Sequence, residues 1–276
     1  MQIATRQKIR VARLANRVMR MFVRDPVLSV RRGGLNWCLA IDEGIDFAIF
    51  LTGSFEPSTR RAYSRLIGEG SVVIDIGANM GAHTLHFAKL VAPTGCVLAF
   101  EPTASAVARL RRNISVNPDL APRVSIYQAM IASEDTAAPP GEIYSSWPLV
   151  EETASHPLHL GVPVSTAGAK AISLDKAVAD AGLKKISLIK LDVDGFEMDV
   201  LRGADAVLRK YRPVIVMEIA PYVLEERGES RYGPVDLLEQ AGYRFASLSG
   251  RSIGDIRKRV RSLAPGHSIN ILALPD

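Results

Sequence analysis

The sequence predicts an α/β fold: an open, mostly parallel sheet with helices on both faces. Three observations carry this expectation. From residue 71 onward, short apolar runs alternate with helix-length segments, the pattern of strands joined by crossover helices. The runs are nearly continuous in Val, Ile and Leu, as strands buried on both faces must be. The first of them, Val72-Val73-Ile74-Asp75-Ile76, passes into the turn Gly77-Ala78-Asn79-Met80-Gly81, and the next ends at Phe100-Glu101-Pro102, so two strand tips carry an acid.

Composition agrees with one large α/β unit and a small appendage. The chain has 276 residues, 47% hydrophobic and 23% charged, the mix of a globular protein with a sizeable core. Its two cysteines, Cys38 and Cys96, make neither a disulfide framework nor a zinc site, so a reducing, cytoplasmic setting is expected. No uninterrupted apolar stretch reaches the roughly 20 residues that span a bilayer. The net charge of +5 is concentrated, because residues 1–25 hold Arg6, Lys8, Arg10, Arg13, Arg17, Arg20 and Arg24 against Asp25 alone. The remainder is close to neutral, which argues against a general nucleic-acid surface.

Residues 1–25 read as a basic amphipathic helix, because Val11, Leu14, Val18, Met21 and Phe22 recur at helical spacings. Packing on its own domain or on a second subunit is the favoured reading on base rates. Peripheral contact with an anionic membrane is the alternative. Arginines interrupt every candidate signal-peptide core. Residues 35–41 and 45–51 read as a hairpin around Asp42-Glu43-Gly44. Pro57, with Ser54 upstream, predicts a helix over 58–67 closed by Gly68 and Gly70. Residues 1–70 therefore form an expected N-terminal appendage, and residues 71–276 the main domain.

Within that domain, strands are expected at 72–76, 97–100, 124–131, 186–193, 214–219, 244–248 and 269–274. Helices are expected at 81–91, 103–116, 174–181, 196–210 and 235–240. The last two strands have no full-length helix between them, so an antiparallel final pair is expected. Residues 137–171, rich in Pro, Ser, Thr and Gly around Trp147, His156 and His159, break the rhythm. They leave from the carboxyl edge of the sheet, where such folds bind ligands. They read as a lid or substrate-contacting segment, with a floppy insertion as the alternative.

The two acidic strand tips point to a nucleoside. Gly77 permits a tight turn and close ligand approach. Gly81 opens a helix whose free amides attract an anion. Glu101, 20 residues beyond Gly81, can accept both ribose hydroxyls. The nicotinamide fingerprint G-x-G-x-x-G is broken by Asn79 at its second glycine, and Asp75 adds negative charge where a diphosphate would sit. S-adenosylmethionine, with a sulfonium, an amino group and one carboxylate, suits these residues better. No P-loop sequence occurs.

The stretches Asp75-Ile76-Gly77-Ala78-Asn79-Met80-Gly81-Ala82-His83-Thr84, Phe100-Glu101-Pro102, Lys190-Leu191-Asp192-Val193-Asp194-Gly195-Phe196-Glu197, Leu201-Arg202-Gly203 and Met217-Glu218 resemble the FkbM family of S-adenosylmethionine-dependent methyltransferases. A weaker echo lies at Gly53-Ser54-Phe55-Glu56-Pro57. The resemblance runs from about residue 71 to residue 242, and the block around Asp192 is its most specific part. It implies a class I methyltransferase (Rossmann-like) fold, seven-stranded with an antiparallel last strand. It also implies O-methylation of sugars or polyketide-type metabolites.

Asp75, Gly77, Asn79, Gly81 and Glu101 are thus expected to hold the cofactor. In-line methyl transfer to an alcohol needs a positioned acceptor and a base for its proton. Asp192 is the first candidate, sharing a strand face with Lys190; Glu218, at the next strand tip, and His83, after the glycine turn, are the others. Asp192, Glu197 and Glu218 would suit a magnesium ion, but nothing in their spacing demands it and no metal site is predicted. The expected partner is a small molecule or glycan, not nucleic acid, and the oligomeric state stays open between monomer and homo-oligomer. The rival readings are an NAD-linked oxidoreductase and a membrane-attached, non-catalytic binding protein.

Overall fold

The computed structural model describes residues 5–135, 139–150, 155–158 and 160–276. His159 lies outside the described residues. Helix α1 (Thr5–Arg20) leads into a hairpin of β1 (Val27–Arg32) and β2 (Leu35–Ala40), then α2 (Gly44–Thr52) and α3 (Pro57–Tyr63). The hairpin turns at Gly33-Gly34, both at positive φ, as a two-residue turn requires. Its strands thus lie one element earlier than the sequence reading, and residues 45–51 are helical. A short run that is apolar but for Asp46 has no period that separates strand from helix. Here Gly53, left-handed at φ 80°, closes a helix.

The main sheet begins with β3 (Val72–Ile76), α4 (Thr84–Leu90), β4 (Cys96–Phe100), α5 (Ala104–Ser115) and β5 (Val124–Tyr127). The expected strand over 124–131 is two strands, because β6 (Ala129–Ile131) leaves the sheet to pair with β9 (Lys170–Ile172). Between them, β7 (Glu142–Ser146) and β8 (Val162–Ser165) form an antiparallel hairpin, so regular structure stands where composition suggested an irregular segment. There follow α6 (Leu174–Asp180), β10 (Leu188–Leu191), α7 (Glu197–Arg202), α8 (Asp205–Tyr211) and β11 (Val214–Ile219). The helix expected over 196–210 is broken at Gly203, where a Cβ would stand 2.0 Å from the Ala132 carbonyl oxygen. The chain ends with α9 (Pro221–Glu226), α10 (Gly233–Gln240), β12 (Tyr243–Ser247), α11 (Ile256–Arg261) and β13 (Ile269–Pro275).

Seven strands form the central sheet in the order β12-β13-β11-β10-β3-β4-β5. β13 runs antiparallel to both its neighbours and the other pairs are parallel. One face packs on α6, α7, α8, α10 and α11 through Ile74, Leu98, Ile189 and Ile215. The other packs on α3 and α4, with Val73, Val97 and Leu188 against Tyr63 and Phe87. This is a class I methyltransferase architecture. Trp37 and Leu39 of β2 and Ile49 of α2 share an apolar cluster with Met80, Leu85 and Leu110. Among the described residues, no helix is long and apolar enough to cross a membrane.

The register places the chemistry. Ile76 pairs with Leu191 on one side and Phe100 on the other, and Leu191 pairs with Met217. The next residues, Gly77, Glu101, Asp192 and Glu218, therefore share one carboxyl edge. The strand order reverses between β3 and β10, the switch point where open α/β sheets form a crevice.

Candidate active site

The turn after β3 is built around Gly77. At φ 81°, its added Cβ would lie 1.9 Å from the Asp192 carbonyl oxygen, so β3 and β10 approach only with glycine there. The Gly77 and Ala78 amides both donate to the Phe100 carbonyl at 3.0 Å, lacing the turn to the end of β4. Asn79 takes a left-handed φ of 46°. Its side-chain oxygen accepts from the Met80 amide (2.8 Å) and Arg109 (2.9 Å), and its Nδ2 donates to the Ser145 carbonyl of β7 (3.1 Å). The turn thus touches the hairpin that overhangs it.

Glu101 is 2% exposed. Its Oε1 accepts from the Thr103 amide and hydroxyl, and its Oε2 accepts from the Asn79 amide at 3.0 Å. Burial pushes its carboxyl up; the bonds from Thr103 and Asn79 pull the other way. Glu101 lines the cavity, and Oε2 has a second lone pair for a ribose hydroxyl.

Asp75 is fully buried, with Oδ2 accepting from the Thr84 hydroxyl at 2.6 Å. Its Oδ1 has no hydrogen bond and stands 4.0 Å from Lys190 Nζ. Lys190 Nζ donates to Asp192 Oδ2 at 3.0 Å. Burial alone would lower the Lys190 pKa, but the charges of Asp192, Asp75 and Glu56 outweigh it and hold the ammonium protonated. One cation is surrounded by acids. Asp194, at a left-handed φ of 48°, is pushed well above the usual carboxylate range by burial and by Asp192, Glu218 and Glu197. Glu218 is pushed up to about 8 by burial, Asp192 and Glu56, although Ser268 donates to it. Glu197 is raised to about 7, chiefly by burial.

His83 is 5% exposed, its Nδ1 3.3 Å from the Tyr63 hydroxyl and its Nε2 3.6 Å from Glu56 Oε2. The second distance is too long for a hydrogen bond. Burial opposes ionisation of Glu56, but His83 and Lys190 bring its carboxyl down to about 2. Glu56 also takes a left-handed φ of 42°, a strained position of the kind that clusters at working sites. His86 is 6% exposed and packs on Trp37, away from the crevice.

These groups wall a cavity of about 1540 Å³. Gly77, Asn79, His83, Glu101, Asp192 and Glu218 line it at the carboxyl edge of the sheet. Asp75 and Gly81, expected at the cofactor, do not line it. Asp75 lies behind Lys190, and Gly81 faces Leu85 and Leu110. Trp147, across the cavity, accepts a bond from the Gly44 amide through its carbonyl. His156 lies 3.0 Å from Glu226 and edge-on to Tyr144 at 5.0 Å. Glu56 stood only in the weaker echo of the sequence, and Arg109, Asn270 and Tyr222 carried no motif. No spacing rule connects Glu56 to His83, because they meet only through the packing of α3 on α4. Among the described residues no group of three or more His, Cys, Asp or Glu could hold a metal ion, so Asp192, Glu197 and Glu218 do not form the ligand set weighed for magnesium.

The residues fit S-adenosylmethionine. Glu101 offers an acceptor on the cavity wall beside the Gly77 turn, and Asp192 and Glu56 stand on the same wall as acids around Lys190, which favours a sulfonium.

Comparison with known proteins agrees. A family model described as Methyltransferase FkbM domain matches residues 75–245. The chain is similar to the hexuronic acid methyltransferase AglP of Haloferax volcanii, 32% identical over 154 residues, which cover 54% of this chain and 56% of that protein. It is similar to the 2-O-methyltransferase NoeI of Sinorhizobium fredii, 28% identical over 167 residues, 55% of this chain and 65% of that protein. It also matches the AMB antimetabolite synthetase AmbE of Pseudomonas aeruginosa, at 29% identity over 191 residues, 56% of this chain but only 9% of that protein. Among solved structures, a methyltransferase FkbM from Methylobacillus flagellatus aligns with TM-score 0.46 and 14% identity, over 76% of this chain and 47% of that one.

Proposed function

We propose, for a chain that belongs to the methyltransferase FkbM family and is an S-adenosylmethionine-dependent methyltransferase, that the acceptor is a hydroxyl of a sugar, glycan or secondary metabolite. The nicotinamide and non-catalytic readings of the sequence fall with the family assignment. The observation that carries the acceptor reading is the position of Asp192: on the cavity wall, bonded to Lys190, beside the Gly77 turn. A carboxylate so placed can accept a hydroxyl proton, and the bonded ammonium keeps it oriented. The names of two relatives, a hexuronic acid methyltransferase and a 2-O-methyltransferase, support a sugar-type alcohol. The matched segment spans 56% and 65% of those two proteins, so their substrates are a guide to chemistry and not an identity.

When bound, S-adenosylmethionine supplies a methyl group on a good leaving sulfur. Glu101 would take the ribose hydroxyls and the Gly77–Asn79 turn would bracket the rest of the ligand. Asp192 would receive the acceptor proton, with Glu218 and the His83–Glu56 pair as neighbouring groups that shape the acceptor pocket. Residues 137–171, of which 137–138, 151–154 and 159 lie outside the described residues, contact the turn through Ser145 and Asn79 and would serve as a lid on a main domain of residues 71–276. Two free thiols, Cys38 and Cys96, support a cytoplasmic setting.

The test is calorimetric titration with S-adenosylhomocysteine, followed by transfer of labelled methyl from S-adenosylmethionine to a panel of sugars and polyols. Transfer to oxygen supports the reading. Exclusive transfer to nitrogen or carbon acceptors overturns it.

A further inference from the structure

The exposed side of α1 and the outer wall of the cavity form one continuous surface. α1 is held to the body by its small face: Ala12, Ala15 and Met19 pack against Ile41, Phe47 and Leu149, and the Asn16 side chain donates to the Ile41 carbonyl at 2.7 Å. Its bulkier apolar residues point away. Val11, Leu14 and Val18 are 70%, 66% and 51% exposed, and Met21 and Phe22 just beyond the helix are 77% and 81% exposed. At about 3.6 residues per turn, Arg13, Arg17 and Arg20 form a separate stripe between the packed and the exposed faces, in which Arg13 also donates to the Pro148 carbonyl and Arg20 lies 3.6 Å from Asp42. Seven basic residues fall within the first 25 positions, against one acid. A soluble surface has no use for five large apolar side chains in one strip. An anionic bilayer interface satisfies both the strip and the arginines.

Val11, at the end of that strip, also lines the catalytic cavity, together with Leu51, which is 56% exposed. Ile45, Phe47, Phe55 and Leu149 line the same cavity as His83 and Asp192: Phe47 and Leu149 pack against α1, and the Phe55 ring lies 5.9 Å from His83. The cavity thus has an apolar half beside α1 and a polar half at the strand tips.

We propose that α1 seats this enzyme on an anionic membrane surface and that the cavity takes its acceptor from there: an amphiphile whose hydroxyl reaches Asp192 while its hydrocarbon chain lies along the apolar half beside α1. The proposal rests on the hydroxyl-acceptor reading and narrows it. In the reaction the acceptor oxygen bonds to the methyl carbon, the carbon–sulfur bond breaks with its electrons going to sulfur, and the hydroxyl proton passes to Asp192.

Flotation of the full chain with phosphatidylcholine vesicles, with and without about a third of phosphatidylglycerol, tests the surface. The expected result is flotation with the anionic vesicles alone, weakened by salt, and cut about tenfold in a Leu14→Ser/Val18→Ser/Phe22→Ser variant. Affinity for S-adenosylhomocysteine, unchanged in that variant, verifies its fold. Flotation that is absent, or equal in both proteins, overturns the proposal. So does a change in oligomeric state of the variant without a change in flotation, which would give the face to a second copy of the chain. Binding of dodecyl maltoside below its micellar concentration, against maltose, tests the cavity in the protein saturated with S-adenosylhomocysteine, read by tryptophan fluorescence. The chain-bearing sugar is expected to bind about tenfold tighter or more. Equal binding, or none, overturns the amphiphile while leaving methylation of sugar hydroxyls standing.

Discussion

Lys190 Nζ lies 3.0 Å from Asp192 Oδ2 and 4.0 Å from Asp75 Oδ1, so one ammonium neutralises an acid on the cavity wall and another sealed in the core behind it. Asp75 is fully buried and Lys190 is 4% exposed. A Lys190→Met variant would leave the Asp75 charge without a counterion, and stability should fall by about 3 kcal/mol. Adding Asp75→Asn removes the stranded charge and should recover part of that loss. Urea unfolding of the two variants and the wild type measures both steps. Equal stability of single and double variants would show that Lys190 does not compensate Asp75.

Asp192 and Glu101 should separate kinetically. Asp192→Asn keeps the shape of the wall and removes the proton acceptor, so kcat should fall about 10²–10⁴-fold with S-adenosylhomocysteine affinity nearly unchanged. Glu101→Gln should weaken S-adenosylhomocysteine by about 2 kcal/mol, because a charge-assisted bond is lost. Steady-state kinetics and calorimetry on both variants decide the assignment; a loss of cofactor affinity in Asp192→Asn alone would exchange the roles.

The acids of the crevice make stability depend on pH in two opposite ways. The Glu218 carboxyl is raised from its ordinary 4.5 to about 8 by burial and the charges of Asp192 and Glu56. The folded protein therefore holds a proton there that the unfolded chain has released. That contribution is full below about 4.5 and is lost as pH rises through about 8. Glu56 has the reverse sign. Its carboxyl is lowered from 4.5 to about 2, so its contribution is present above 4.5 and lost as pH falls toward 2. Melting temperature against pH should decline less from neutral to alkaline pH in Glu218→Gln than in the wild type. In Glu56→Gln the acid limb should flatten instead. Parallel curves for all three proteins would remove both residues from the pH response.

The sheet was legible because its strands are long apolar runs with punctuation at their tips: Asp75-Ile76-Gly77, Glu101-Pro102 and Asp192 mark three strand ends in the sequence itself. The N-terminal hairpin was displaced because Ile45 to Leu51, apolar but for Asp46, has no clear period, and only the packing of α2 on β2 decides its form. The same limit hid the Glu56–His83 pair, which joins residues of α3 and α4 flanks through tertiary contact alone. Asp75 illustrates a different gap. Its type and position announced an acid at the cofactor, yet this strand residue, two places before Gly77, is fully buried, and Thr84 and Lys190 claim it. Sequence indicates which acids gather at an edge, whereas side-chain direction and burial decide which of them reach the cavity.

Gly77 links fold and site in one residue. Its φ of 81° costs any other residue about 1–2 kcal/mol. Beyond that, a Cβ would lie 1.9 Å from the Asp192 carbonyl oxygen and 3.0 Å from its carbonyl carbon. The obstruction is backbone on both sides, so it cannot be relieved by turning a side chain. Gly77→Ala should therefore push β3 and β10 apart at the carboxyl edge, displace Asp192, and weaken the bonds from the Gly77 and Ala78 amides to Phe100. Both the melting temperature and the affinity for S-adenosylhomocysteine should fall. Gly68→Ala is the control, since no atom lies within 4 Å of a Cβ added there. It should leave both quantities close to the wild type. A Gly77→Ala protein that melts and binds like the Gly68→Ala control would mean that β3 and β10 do not need this contact.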